Sequence, residues 1–87
     1  MDTTAKPKPA TGLVLFGTSA CHLCERAQEV LDYYNGHCAK IQYVDADISE
    51  SDELFQQYGL KIPVLRRDDG RELDWPFGVD ELARFLD

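Results

Sequence analysis

The stretch FGTSACHLCERAQEVL, residues 16–31, constrains this chain more than any other. An unbroken apolar run, LVLFG at 13–17, gives way within a few residues to apolar positions at helical spacing: Leu23, Ala27, Val30, Leu31 and Tyr34. A short continuous run of that kind reads as a strand buried on both faces, which belongs in a sheet covered by helices on both sides. Two cysteines, Cys21 and Cys24, fall at the junction. The fold must therefore hold a buried strand, a tight loop at Thr18-Ser19-Ala20, and a helix whose first turn carries a pair of thiols.

Asn35-Gly36 is the expected stop of that first helix. Residues 40–47, KIQYVDAD, set Ile41, Tyr43 and Val44 against polar neighbours and read as a second strand. Asp47 and Ser49 are caps for a second helix carrying Leu54, Phe55 and Tyr58, which Gly59 ends. IPVLRR at 62–67 is a third strand, and Asp69-Gly70 is a hairpin turn leading into RELDW. Val79, Leu82, Phe85 and Leu86 line one face of a last helix. The order is β-α-β-α-β-β-α, an α/β fold with a four-stranded mixed sheet and flanking helices. Strands joined by helices are expected to run parallel through right-handed crossovers, with the hairpin adding an antiparallel edge.

Eighty-seven residues make a single domain, expected over 12–87. It follows an extended, flexible tail over 1–11 that contains Lys6-Pro7-Lys8-Pro9. A formal net charge of −7 counts against a nucleic-acid partner and against an anionic membrane surface. No apolar run reaches the roughly 20 residues of a membrane span, and the first twelve residues hold no apolar signal core. Three cysteines is an odd number, unlike the even, dense sets of secreted scaffolds. The expected setting is a reducing cytoplasm, and the expected state a monomer.

Cys21 falls at or beside the first position of the first helix, where free backbone N–H groups and the positive end of the helix dipole favour an anion. The thiolate is such an anion and is the reactive form of cysteine. A shift from about 8.5 to about 7 raises the ionised fraction at neutral pH from a few per cent to about half, for roughly 2 kcal/mol. Cys24, one turn deeper on the same face, is placed to attack a mixed disulfide formed on Cys21. Cys21 is thus the candidate nucleophile and Cys24 the resolving thiol. His22, if protonated, would stabilise the thiolate; the competing reading is an exposed first-turn residue. A structural zinc site needs four ligands, and the only second pair, His37-Cys38, is adjacent in sequence and poorly placed to share one ion, so no metal site is expected within one chain. Cys38 reads as a small apolar filler, and His37 as a helix-end residue facing free carbonyls.

With these residues in hand, the chain resembles the glutaredoxin-like branch of the thioredoxin superfamily. The resemblance runs from about Leu13 to Leu86 and rests on CHLC after the first strand, DADI closing the second, YGLKIPVL entering the third and the terminal VDELARFL. It is strongest to small bacterial glutaredoxin-like proteins that carry C-H-L-C and I-P-V-L followed by W-P-F. The resemblance implies a thioredoxin fold with a cis Ile62–Pro63 bond, its proline facing the C-x-x-C pair. It also implies that the Ile62 backbone hydrogen-bonds an extended substrate like an added strand.

Dithiol glutaredoxins carry C-P-Y-C, a Lys three residues before the first Cys and a Gly-Gly pair before the last helix. Here those places hold His22 and Leu23, Thr18, and Gly78 alone. Lys61, Arg66 and Arg67 are the candidates to replace the missing glutathione contacts, though strand alternation sends the two arginines to opposite faces. Trp75 and Phe77 either cover the end of the core or border the substrate groove. Asp80 and Glu81 read as caps of the last helix.

The function expected is a dithiol–disulfide oxidoreductase of glutaredoxin-like type, acting on mixed disulfides of proteins or glutathione. Cys21 and Cys24 do the chemistry, and His22, Leu23, Lys61, Ile62, Pro63 and Trp75 meet the substrate. No cofactor is required, and glutathione enters as a candidate reductant. The alternatives are a non-catalytic thioredoxin-fold binding module, docking through Trp75 and Phe77, and a metal or iron–sulfur carrier assembled between chains.

Overall fold

The computed structural model describes residues 12–87; the tail expected over 1–11 lies outside the described residues. In chain order the elements are β1 (Leu13–Gly17), α1 (His22–His37), β2 (Tyr43–Asp47), a 3₁₀ turn (Ile48–Glu50), α2 (Asp52–Tyr58), β3 (Val64–Arg66), β4 (Glu72–Asp74) and α3 (Val79–Leu86). They form one sheet with strand order β2-β1-β3-β4. Strand β1 is interior because its side chains are apolar on both faces, and Leu13, Leu15 and Phe16 are all buried.

Alternation along β1 separates two apolar clusters. Leu13 and Leu15, joined by Leu65 of β3, meet Ala27, Leu31 and Tyr34 of α1, Leu82 of α3, and Phe77. Phe16 and Val64 point the other way and meet Ile48 and Tyr58. The Phe16 and Tyr58 rings stack with centroids 4.3 Å apart. Each fully buried leucine or isoleucine contributes about 1.5–3 kcal/mol, so these clusters hold the sheet between its helices.

β1 and β2 pair in parallel, as expected across α1. β3, however, pairs antiparallel to β1 on its other side, which overturns the expectation of a second parallel crossover. The reason is length. α2 has seven residues and rises only about 10 Å, too little to carry the chain back along the sheet, so β3 begins at the end where β2 stopped.

Several boundaries move. α1 runs through Asn35-Gly36 to His37, and Asn35 spends its side-chain oxygen on the Ile41 N–H at 2.9 Å, beyond the helix. Asp47 caps the 3₁₀ turn, and Ser51 rather than Ser49 caps α2, its hydroxyl accepting from the Leu54 N–H at 3.3 Å. β2 and β3 are shorter than 40–47 and 62–67. The Asp69-Gly70 hairpin forms, with Gly70 at φ 94° and the Arg67 N–H donating to the Arg71 carbonyl. Cys38 is exposed at the end of α1, not buried as a filler, because the overrun of α1 carries it past the core.

Candidate active site

The site forms at the end of the sheet where β1 stops. Gly17 pairs with Asp47 of β2. Continuing the β1–β3 and β3–β4 registers by one residue sets Pro63 opposite Gly17 and Trp75 opposite Pro63; the Trp75 N–H indeed donates to the Pro63 carbonyl at 3.3 Å. By alternation Asp47, Gly17, Pro63 and Trp75 share one face with Leu15 and Leu65, the face that α1 covers. The first turn of α1 is thereby laid over this row.

Cys24 sits directly on Gly17. A methyl group at Gly17 would lie 2.7 Å from Cys24 Sγ and 3.2 Å from its Cβ, inside van der Waals contact, so the missing side chain is the space the thiol occupies. Cys21 is the N-cap of α1, with extended backbone. Its sulfur stands where a Ser or Asp oxygen usually stands, accepting from the Cys24 N–H at 3.1 Å. Cys21 and Cys24 are bonded as a disulfide with their Cα atoms 5.2 Å apart. Cys21 is half-buried, while Cys24 is only 5% exposed. Cys21 is thus the more accessible member of the pair and Cys24 the buried one.

The other candidates separate. Pro63 is buried and Trp75 half-buried in the same row, with Trp75 edge-on to Phe77 at 5.1 Å. Phe77 itself is a core residue. The Ile62–Pro63 and Trp75–Pro76 bonds are both cis. The Ile62 N–H donates to the Tyr58 carbonyl at 3.1 Å. His22 is exposed, 3.9 Å from the Glu25 carboxylate, and Leu23 is exposed beside it. Lys61 does not join them; its ammonium lies 5.9 Å over the Tyr58 ring, toward the α2 side of the sheet. Arg67 is committed elsewhere, to the Phe85 carbonyl and to Asp69 at 3.1 Å. His37 meets the Tyr33 carbonyl at 3.1 Å, the helix-end contact expected of it. Glu81 caps α3, accepting from the Gly78 N–H at 2.9 Å.

Three residues that share a cavity with Cys24 carry no site role in the sequence reading: Gln28, Asp45 and Asp47, the last read there only as a helix cap. A cavity of about 230 Å³ lies on the β2 side of Cys24, and these residues line it with Thr18 and Ser19. Gln28, one turn along α1, donates to Asp45 at 2.9 Å and ties helix to strand across the cavity. Hydrogen bonds from the Ser49 hydroxyl and then its backbone N–H hold the Asp47 carboxyl below the usual carboxylate range. No local signal marks these residues, since only the β1–β2 register brings them to the thiol.

A family model for the Glutaredoxin-like domain (DUF836) matches residues 12–87, so the chain belongs to that family. Among solved structures it is similar to XcR50 from X. campestris. The crystal structure matches with 38% identity and a TM-score of 0.75 over 85% of this chain and 93% of that one. The solution structure matches with 37% identity and a TM-score of 0.74 over 86% and 91%. Ne2328 from Nitrosomonas europaea matches over 100% of both chains with a TM-score of 0.75 and 24% identity, a likeness of fold alone. No curated protein matches. The fold is thioredoxin-like, and the cysteine pair at bonding distance fits a redox role.

Proposed function

We propose that this protein is a dithiol–disulfide oxidoreductase. The Cys21 thiolate attacks one sulfur of a substrate disulfide, whose other sulfur leaves as a thiolate. Cys24 then attacks Cys21 Sγ, releases the second substrate thiolate and closes the Cys21–Cys24 bond, so two electrons pass to the substrate. One observation carries the reading: the outer cysteine caps α1 and the inner one, buried a turn below, is bonded to it. The Cys24 N–H aimed at Cys21 Sγ stabilises a thiolate there in the reduced form.

Pro63 and Trp75 form the wall beside the pair, and the Ile62 carbonyl receives the substrate backbone. The substrates are mixed disulfides of proteins or glutathione, with glutathione as a candidate reductant and no other cofactor. An exposed, unpaired Cys38 supports a reducing, cytoplasmic setting, and we take the monomer as the working unit. The net charge of −7 argues for thiol-bearing partners over nucleic acid or anionic membrane. Docking through Trp75 and Phe77 without chemistry is less well supported, because Phe77 is buried.

The test is trapping. Cys24→Ser is expected to accumulate a mixed disulfide on Cys21, seen by mass spectrometry, and Cys21→Ser to abolish it. In the reduced protein Cys21 is expected to alkylate well ahead of Cys38 at neutral pH. Equal rates would remove the enzymatic reading, and zinc or iron copurifying and lost in Cys24→Ser would replace it with that of a carrier.

A further inference from the structure

The two sulfurs sit in opposite electrostatic surroundings. Cys21 has the N-terminus of α1 and the Cys24 N–H. Cys24 has given its own N–H to Cys21 and is buried, so desolvation disfavours its charged form. The groups around Cys24 can be named element by element. Gly17, Pro63 and Trp75 along the sheet row are neutral, as are Thr18 and Ser19 in the loop. On α1, Glu25 is exposed and 3.9 Å from His22. On β2 stand Asp45 and Asp47, lining the same cavity as Cys24, and no basic side chain lines it.

Both carboxylates are held in place, Asp47 half-buried and Asp45 on the exposed rim of the cavity. Asp47 is level with Gly17, on which Cys24 rests, and its oxygen is fixed by Ser49. Asp45 is one row deeper and anchored by Gln28, which lies four residues beyond Cys24 on the same helix face. Resting on the oxidoreductase reading above, we infer that Asp45 and Asp47 are positioning residues for the resolving step: their charge keeps Cys24 a neutral thiol at neutral pH. The Cys21 thiolate adds a third negative charge in the reduced protein.

The consequence is kinetic. Attack by Cys24 goes through its thiolate, so the rate of resolution follows the ionised fraction of Cys24. A thiol pushed above its ordinary value makes substrate release, rather than attack by Cys21, the step that rises with pH. The mixed disulfide then persists at neutral pH. Each pKa unit removed should speed resolution about tenfold there, less the small loss of nucleophilicity that accompanies a lower pKa.

The experiment has two arms. In a Cys21→Ser, Cys38→Ser background Cys24 is the sole thiol, and the ultraviolet absorbance of its thiolate gives its titration. Asp45→Asn and the Asp45→Asn, Asp47→Asn double variant should shift that titration to lower pH, the double more than the single. In the second arm the cysteines are intact, and reduced protein is mixed with excess 2-hydroxyethyl disulfide, a neutral probe. Rapid quenching and mass spectrometry follow mixed disulfide and closed disulfide across a pH series. The double variant should resolve about three- to tenfold faster than wild type at neutral pH and the single variant less, with the profiles converging at high pH and the gap narrowing in high salt.

Superimposable profiles in folded variants, checked by circular dichroism, overturn the assignment. So does slower resolution in Asp45→Asn, which would make that carboxylate a proton acceptor for the thiol. A wild type that passes to the closed disulfide with no mixed disulfide accumulating at neutral pH also overturns the assignment, whereas one that forms neither mixed nor closed disulfide with the probe overturns the oxidoreductase reading beneath it.

Discussion

At the scale of single residues, Gly17 shapes the site as much as the cysteines do. A methyl group there must push Cys24 Sγ by several tenths of an ångström. In the dithiol form Cys24 can turn about its side-chain bond, but in the disulfide its sulfur is tethered to Cys21. Overpacking costs about 1–3 kcal/mol, against about 0.4–1 kcal/mol gained by restricting the unfolded chain, so the clash wins. Gly17→Ala should therefore destabilise the oxidised protein by about 1 kcal/mol in denaturant titration, and the reduced protein less. Equilibration with glutathione buffers should show a correspondingly smaller fraction of closed Cys21–Cys24. An unchanged fraction would mean that Cys24 has room the geometry denies it.

At the scale of elements, β2 is one of the two edges of the sheet and depends on α1 to hold it. Val44 is 61% exposed, so apolar packing does little for the strand's outer face. The ties are polar: Gln28 to Asp45, and the Tyr43 hydroxyl donating to Asp32 of α1 at 3.3 Å. Burial, then the charges of Asp32 and Asp45, push Tyr43 up to about 12. The folded value stands above the unfolded value of about 10, so the folded state favours the neutral phenol. Its contribution is whole below about pH 10 and is lost as pH rises toward about 12. Stability should fall across that window, and Tyr43→Phe should reduce the fall, as read from denaturant midpoints at a series of alkaline pH values. Tyr58 is raised too, by burial and then its bond to Glu72, so part of the loss should survive in the variant.

At the scale of the whole molecule, sixteen acidic residues against nine basic ones leave the fold repelling itself. The melting temperature should rise from very low salt to about 0.15 M NaCl, where screening shortens the reach of exposed charges to about 8 Å. A flat response would show that the charges are already paired. Among the described residues no helix is long and apolar enough to cross a membrane.

Read by itself, the chain determined the element order, the buried central strand and the thiol pair at the head of a helix. Each follows from local chemistry: runs and spacings of apolar side chains, hairpin residues, and the field at a helix end. It set the stop of α1 slightly early, at Asn35-Gly36, and gave the cap of α2 to Ser49, because the exposed last turn of α1 carries no apolar pattern and Asp47 first closes a 3₁₀ turn that takes in Ser49. The tertiary structure alone decided that β3 turns back antiparallel, that Gly17 makes room for Cys24, and that Asp45 and Asp47 line the same cavity as that thiol. Those facts depend on which strand lies beside which, and on a helix too short to span the sheet. Contacts between distant segments are set by register and packing, and neither is written in any one stretch of residues.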